Sequence, residues 1–126
     1  MIFKKIFNNI NMKLYKPLLE KEHFFEMSNL TPDDTGLPFI IWISPKSGKE
    51  GHWARIKVEY EGNYYSMSID DNPEWKIKSH IKIPFSGRQI NLIKKFVKLN
   101  KDILLQYWNS QGKLSMQVVL NTIKKI

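Results

Sequence analysis

Two stretches of alternating residues meet at a glycine turn, and they constrain this chain more than any other feature. Ile56, Val58 and Tyr60 alternate with Arg55, Lys57 and Glu59. Beyond Glu61-Gly62-Asn63, Tyr65, Met67 and Ile69 alternate with Tyr64, Ser66 and Ser68. A period of two marks a half-buried strand, because successive side chains point to opposite faces. Gly and Asn tolerate positive φ, so the segment between reads as the turn of a β-hairpin. Upstream, Phe39-Ile40-Ile41-Trp42-Ile43 is apolar at every position, which predicts a central strand buried on both faces. Gly36 and Pro38 punctuate it on one side and Pro45 on the other. Residues 35–70 are therefore read as the nucleus of a sheet.

The remaining 3.6-residue periodicity supplies its cover. From Arg88, the residues Ile90, Ile93, Phe96, Val97, Ile103, Leu104, Tyr107 and Trp108 share one helical face, with Lys94, Lys95, Lys98 and Lys101 opposite. Ser86 is the expected N-cap. Asn100 enters the apolar face, which predicts a kink or a break near Asn100-Lys101-Asp102. The helix should end before Gly112. Met116, Val119, Leu120 and Ile123 predict a short last helix after Ser115, with Lys124 and Lys125 near its C-terminus. Between hairpin and helix, Asp70-Asp71-Asn72-Pro73 is a turn signal. After it, Ile77, Ser79, Ile81 and Ile83 alternate with Lys76, Lys78, His80 and Lys82, which predicts a fourth strand with one basic face. Lysines there would serve either to deter edge-to-edge pairing or to bind a ligand. The expected fold is α+β: an antiparallel sheet of about four strands (near 38–44, 53–60, 64–70 and 76–83), packed by a helical segment near 88–111. An N-terminal helix and a short last helix complete it.

At 126 residues the chain is read as one domain, with residues 1–14 as a flexible or docked extension. In that extension Ile2, Phe3, Ile6, Phe7 and Ile10 recur at helical spacing, as in a membrane-surface helix or one docked on the domain. Met12 offers an alternative start. Residues 18–27 predict a helix after Pro17. Asp33 and Asp34 suit a hard cation or an ordinary turn. Residues 44–51 lack P-loop order and read as an exposed connection. There are no cysteines, which excludes disulfides, thiol nucleophiles and zinc–thiolate sites. No apolar run approaches a spanning helix or a secretory signal. No integral membrane association and a cytoplasmic location are the expectations.

Charge is unevenly placed. Residues 31–75 carry 4 basic and 8 acidic groups, whereas residues 76–126 carry 11 basic groups against one acid, Asp102. Such a segment attracts polyanions. Its basic residues are lysines apart from Arg88, and lysine is a hydrated point charge without a forked donor set. That favours non-specific attraction over base readout.

His52 before the hairpin, Val58, the Gly62 turn, Ile69-Asp70, Arg88 and the run Leu104-Leu105-x-x-Trp108 with Gly112 beyond together carry a resemblance. Over residues 52–111 the chain resembles a family of small uncharacterised bacterial proteins found in toxin–antitoxin-like gene pairs. The resemblance implies the hairpin-plus-helix layout. That family has two histidines flanking one residue; here the run is His52-Trp53-Ala54, so the pair is not carried over.

No assembled catalytic motif stands out. There is no Gly-x-Ser-x-Gly elbow, and no cofactor is expected. His23 reads as a surface or core histidine. His52 and Asp70 form either a base with its orienting partner or a surface pair at the hairpin mouth. The favoured expectation is a non-enzymatic module that engages a protein or ribonucleoprotein partner with an acidic surface. An antitoxin-like protein or a mobile-element inhibitor falls within that class. The expected contact residues are Arg55, Lys57, Lys76, Lys78, His80, Lys82, Arg88, Lys94, Lys95 and Lys98, with His52 as the histidine worth mutating. Direct RNA or DNA binding is the first alternative, in which Trp53, Tyr64 and Trp75 would add stacking to phosphate contacts. A metal-independent ribonuclease-type toxin using Arg55, Arg88, His52 and His80 is the second.

Overall fold

The computed structural model describes residues 27–46 and 53–126. The expected N-terminal helices, residues 47–51 of the expected connection, His23 and His52 lie outside the described residues. Among the described residues the elements run β1 (Ser28–Leu30), α1 (Pro32–Thr35), β2 (Ile40–Ile43), β3 (Arg55–Tyr60), β4 (Asn63–Ser68), α2 (Gly87–Leu99), α3 (Lys101–Asn109) and α4 (Met116–Thr122). The strands form a four-stranded antiparallel sheet in chain order, β1-β2-β3-β4. The fold is α+β.

The hairpin forms where alternation places it. Ile56, Val58 and Met67 are fully buried on one face, while Arg55, Lys57 and Glu59 alternate with them on the other. Tyr60 pairs with Asn63, and the turn between them uses Glu61 at φ 49° and Gly62 at φ 81°. Consecutive positive φ values suit the right-handed twist of the two strands. Register then places Lys57 opposite Ser66 and Arg55 opposite Ser68.

Two strand expectations need correction. The stretch at 76–83 is not a strand. Beside β4 the chain makes a single bridge, Trp75 with Met67, and the bonds Ser68 N–H to Glu74 O and Lys76 N–H to Ser66 O. It then turns, with Ile81 N–H donating to Lys78 O. Phe85 is the reason. Its buried ring meets Phe39, Tyr60 and Tyr65 edge-on and stacks on Trp75 at 5.5 Å. Anchoring Phe85 in that aromatic cluster pulls the chain off the sheet edge, and Ile81 is left exposed. The fourth strand is instead β1, at the opposite edge. The second correction concerns β2. It is central, but only Ile41 and Ile43 are buried, while Ile40 and Trp42 are half-exposed. Trp42 satisfies its indole N–H by donating to Glu59 at 2.7 Å.

The helices cover the buried sheet face. Ile93, Phe96, Val97, Ile103, Leu104, Tyr107 and Val119 join Ile41, Ile56, Val58 and Met67 in one core cluster. Ser86 caps α2, accepting from Gln89 N–H, and the Gln89 side chain returns a bond to Ser86 N–H. That capping box satisfies donors no helical carbonyl can reach. α4 begins in the same way, Ser115 accepting from Val118 N–H. Its apolar stripe is narrower than expected, since Val119 is buried but Leu120 is exposed.

The helical segment breaks at Asn100, which is 3% exposed. Its side chain donates to Phe96 O and Lys124 O and accepts from Lys124 N–H at 2.8 Å. Two residues on, Ile126 N–H donates to Thr35 O at 2.8 Å. The segment after α4 is thus held between the α2–α3 break and α1.

Asp33 and Asp34 lie in the first turn of α1. Asp34 accepts from both the N–H and the hydroxyl of Thr31, capping α1, and no metal-ligating cluster of three or more such side chains occurs among the described residues. No helix among them is long and apolar enough to cross a membrane.

Candidate functional site

Hairpin register and the Trp75 bridge assemble a groove along the β4 edge. Trp53 leads into β3, Ser66 lies on β4, and Trp75 to Lys78 pass beside it. An open groove of about 650 Å³ is lined by Trp53, Arg55, Ser66, Trp75, Lys76, Ile77 and Lys78. Lys57 sits opposite Ser66 in the ladder, and Lys76 bonds to Ser66 from the other side. Residues about ten to twenty positions apart in sequence therefore share one edge of the molecule.

The groove's indoles differ. Trp53 is 58% exposed even though Lys76 Nζ lies 3.8 Å from its ring centroid. A cation over an indole is attracted by the negative face of the π system. Trp75 is half-buried, one face taken by Phe85. Its Nε1 is buried and meets no acceptor among the described residues, which costs on the order of 1–3 kcal/mol. Arg55 is half-buried, donating to Trp53 O at 3.1 Å with its guanidinium 5.5 Å from the Trp108 ring centroid. Burial pushes its pKa down from the ordinary value, yet arginine keeps its charge at neutral pH. Across the same sheet face Tyr64 is exposed and packs edge-on to Trp42. Desolvation, then the nearby Glu59 carboxylate, raises its phenol pKa.

Of the residues expected to bind, the structure brings together Arg55, Lys76 and Lys78, with Lys57 adjacent in the ladder. His80 and Lys82 are exposed farther along the same loop. Arg88 lies in the first turn of α2, and Lys94, Lys95 and Lys98 lie on that helix away from its buried Ile93, Phe96 and Val97. The strand expected to carry Lys76, Lys78, His80 and Lys82 does not form, so these residues lie on an irregular segment instead. No contact links Arg55, His80 and Arg88 into a catalytic set among the described residues. Sequence reasoning named Trp53 and Trp75 for stacking but missed Ser66, and the only signal for its placement is the hairpin register.

Lys101 is not a free cation. It pairs with Asp71 at 2.6 Å. The Lys101 hydrogen bond, then its charge, lowers the Asp71 pKa from its ordinary 3.8, and Asp71 raises that of Lys101. The pair therefore supports the fold between the two ordinary values. It is lost as pH falls through the lowered Asp71 value, and again as pH rises through the raised Lys101 value. Asp71 is exposed and Lys101 part-exposed, so solvent screens the pair and the contribution is small. In a carboxyl NMR titration, Asp71 should titrate below its ordinary value, and Lys101→Met should move its midpoint up; an unmoved midpoint would dissolve the pair.

A second open groove, of about 700 Å³, runs along Asp102, Leu105, Gln106, Asn109, Ser110, Lys113 and Leu114. It sets an acid beside a base and has no aromatic lining. Comparison with protein-family models, with curated proteins and with solved structures finds no match for this chain.

Proposed function

We propose that this protein is a non-enzymatic binding module that engages a polyanionic partner, a protein or ribonucleoprotein with an acidic surface. The antitoxin-like or mobile-element inhibitor class belongs to this reading. The observation that carries it is the uncompensated charge of the 76–98 segment. The side chains of Lys78, Lys82, Lys94 and Lys95 make no ion pair among the described residues, whereas Lys98 lies within reach of the Asp71 charge. Arg88 joins them, and no acid occurs between Glu74 and Asp102. Paired lysines would be a solvated surface with little field. Unpaired ones concentrate counter-ions and steer an anionic partner.

Inorganic polyphosphate, a polyanion without bases, tests the electrostatics alone. The wild-type protein should bind it at low salt and release it steeply as salt rises. In Lys78→Glu/Lys82→Glu the slope of log affinity against log salt should fall by about two or more. Both side chains are exposed, so melting should not change. An unchanged slope would take this loop out of the interface, and no binding at low salt would end the polyanion reading.

A further inference from the structure

We infer that the groove between Trp53 and Lys78 is a single-stranded nucleic-acid site, in which a base stacks on Trp53 and the flanking phosphates meet Arg55, Lys76 and Lys78. The inference rests on the polyanion reading and names the chemistry of the partner at this edge.

Three observations carry it. The first is the mixture of groups. An acidic peptide gains from the cations but not from the indole, because the negative face of an aromatic ring repels a carboxylate. A nucleotide uses both halves, since its base has a π face and its phosphate is anionic. The second is the state of Trp53. A large apolar ring at 58% exposure, with an ammonium held on one face, presents its remaining surface to solvent beside a groove. Lys76 both orients that ring and neutralises a phosphate approaching it. The third is shape. The groove is a shallow edge formed by a strand and an irregular segment, and among the described residues no helix lines it to enter a duplex groove. Unstacked bases of a single strand can reach such a surface, and paired bases cannot.

Recognition should be tolerant of sequence. Lys76 and Lys78 act as point charges. Ser66 at the groove supplies one hydroxyl, either donor or acceptor, which suits a phosphate, a sugar or a base edge.

The test compares oligouridine and oligothymidine of about ten nucleotides with inorganic polyphosphate and polyglutamate, using the full chain. Trp53→Ala should weaken oligonucleotide binding about tenfold or more, the range found for one lost stack, and leave polyphosphate binding unchanged. Trp53→Phe should recover part of the loss. Lys78→Gln should lower the salt slope for oligonucleotide and polyphosphate alike, by about one. Trp53 is exposed, so these variants fold, and unchanged melting verifies it. Trp53-dependent binding in either nucleic-acid arm supports the site. Oligonucleotide and polyphosphate bound equally, both indifferent to Trp53, would overturn the groove and leave the polyanion reading standing. Polyglutamate bound more tightly than either, again without Trp53, would also overturn it and identify an acidic protein partner. Failure of every polyanion to bind would remove both readings together.

Discussion

Asn100→Leu is expected to destabilise the protein by about 3 kcal/mol, the sum of a lost buried hydrogen-bond set and the polar groups it strands. Asn100 satisfies the α2–α3 break and the segment after α4 at once. Its amide N–H group reaches Phe96 O and Lys124 O, and its carbonyl oxygen accepts from Lys124 N–H. Leucine has the same branched shape, is bulkier and gains some burial energy, but it has no donor or acceptor. Lys124 N–H and O must then turn to water, and Ile126 moves with them. Urea denaturation measures the loss. Hydrogen exchange shows where it falls: the Lys124 and Ile126 amides should lose protection while those of β3 and β4 keep theirs relative to global unfolding. A change below about 1 kcal/mol would mean that water replaces the asparagine without cost.

Gly36→Ala attacks the same clasp from the other side, with an expected loss of about 2–4 kcal/mol. Gly36 ends α1 at φ 83°, and a Cβ there would sit 2.6 Å from Ile126 O. The left-handed conformation alone costs an alanine about 1–2 kcal/mol. The rest comes from a backbone contact that cannot give way without releasing Ile126 from Thr35. Gly62 is the internal control. It has nearly the same φ, 81°, but nothing within 4 Å of its added Cβ. Gly62→Ala should therefore lose only the conformational part. Equal losses at the two glycines would show that Ile126 does not press on Gly36. Because Asn100→Leu and Gly36→Ala both detach residues 123–126, their combined effect should fall short of the sum.

Much of the fold is legible because local pattern and tertiary environment agree. Ile56, Val58 and Met67 alternate in sequence and are buried in fact. Ser86 and Gln89 cap α2 using only residues within one turn of each other. Asn100 betrays the helix break because an amide in an apolar face needs partners. The errors arose where pattern and environment disagree. Lys76 to Ile83 alternates as well as β3 does, but alternation cannot tell a strand from an extended segment with no neighbour to pair with. β1 has three residues and no pattern to detect; it is a strand because Asn29 and Leu30 find Trp42 and Ile41 across the ladder. The unbroken apolar run of β2 suggested two buried faces, but the second is half-open and carries Trp42 and Tyr64.

The groove follows the same division. Its ingredients were visible: two tryptophans, an arginine and two lysines near the hairpin. Their meeting was not, because Trp53 and Trp75 are joined through the register of β3 on β4 and the single bridge at Met67. Residues a few positions apart suffice to specify the hairpin, the helical cover, the capped helix starts and the surplus of lysine after residue 75. Which edge closes the sheet, where the segment after α4 is clasped, and which lysines lie beside an exposed indole are set by contacts between distant parts of the chain. Those outcomes depend on Phe85, Asn100 and Gly36 meeting residues far along the chain, and no local periodicity records such a meeting.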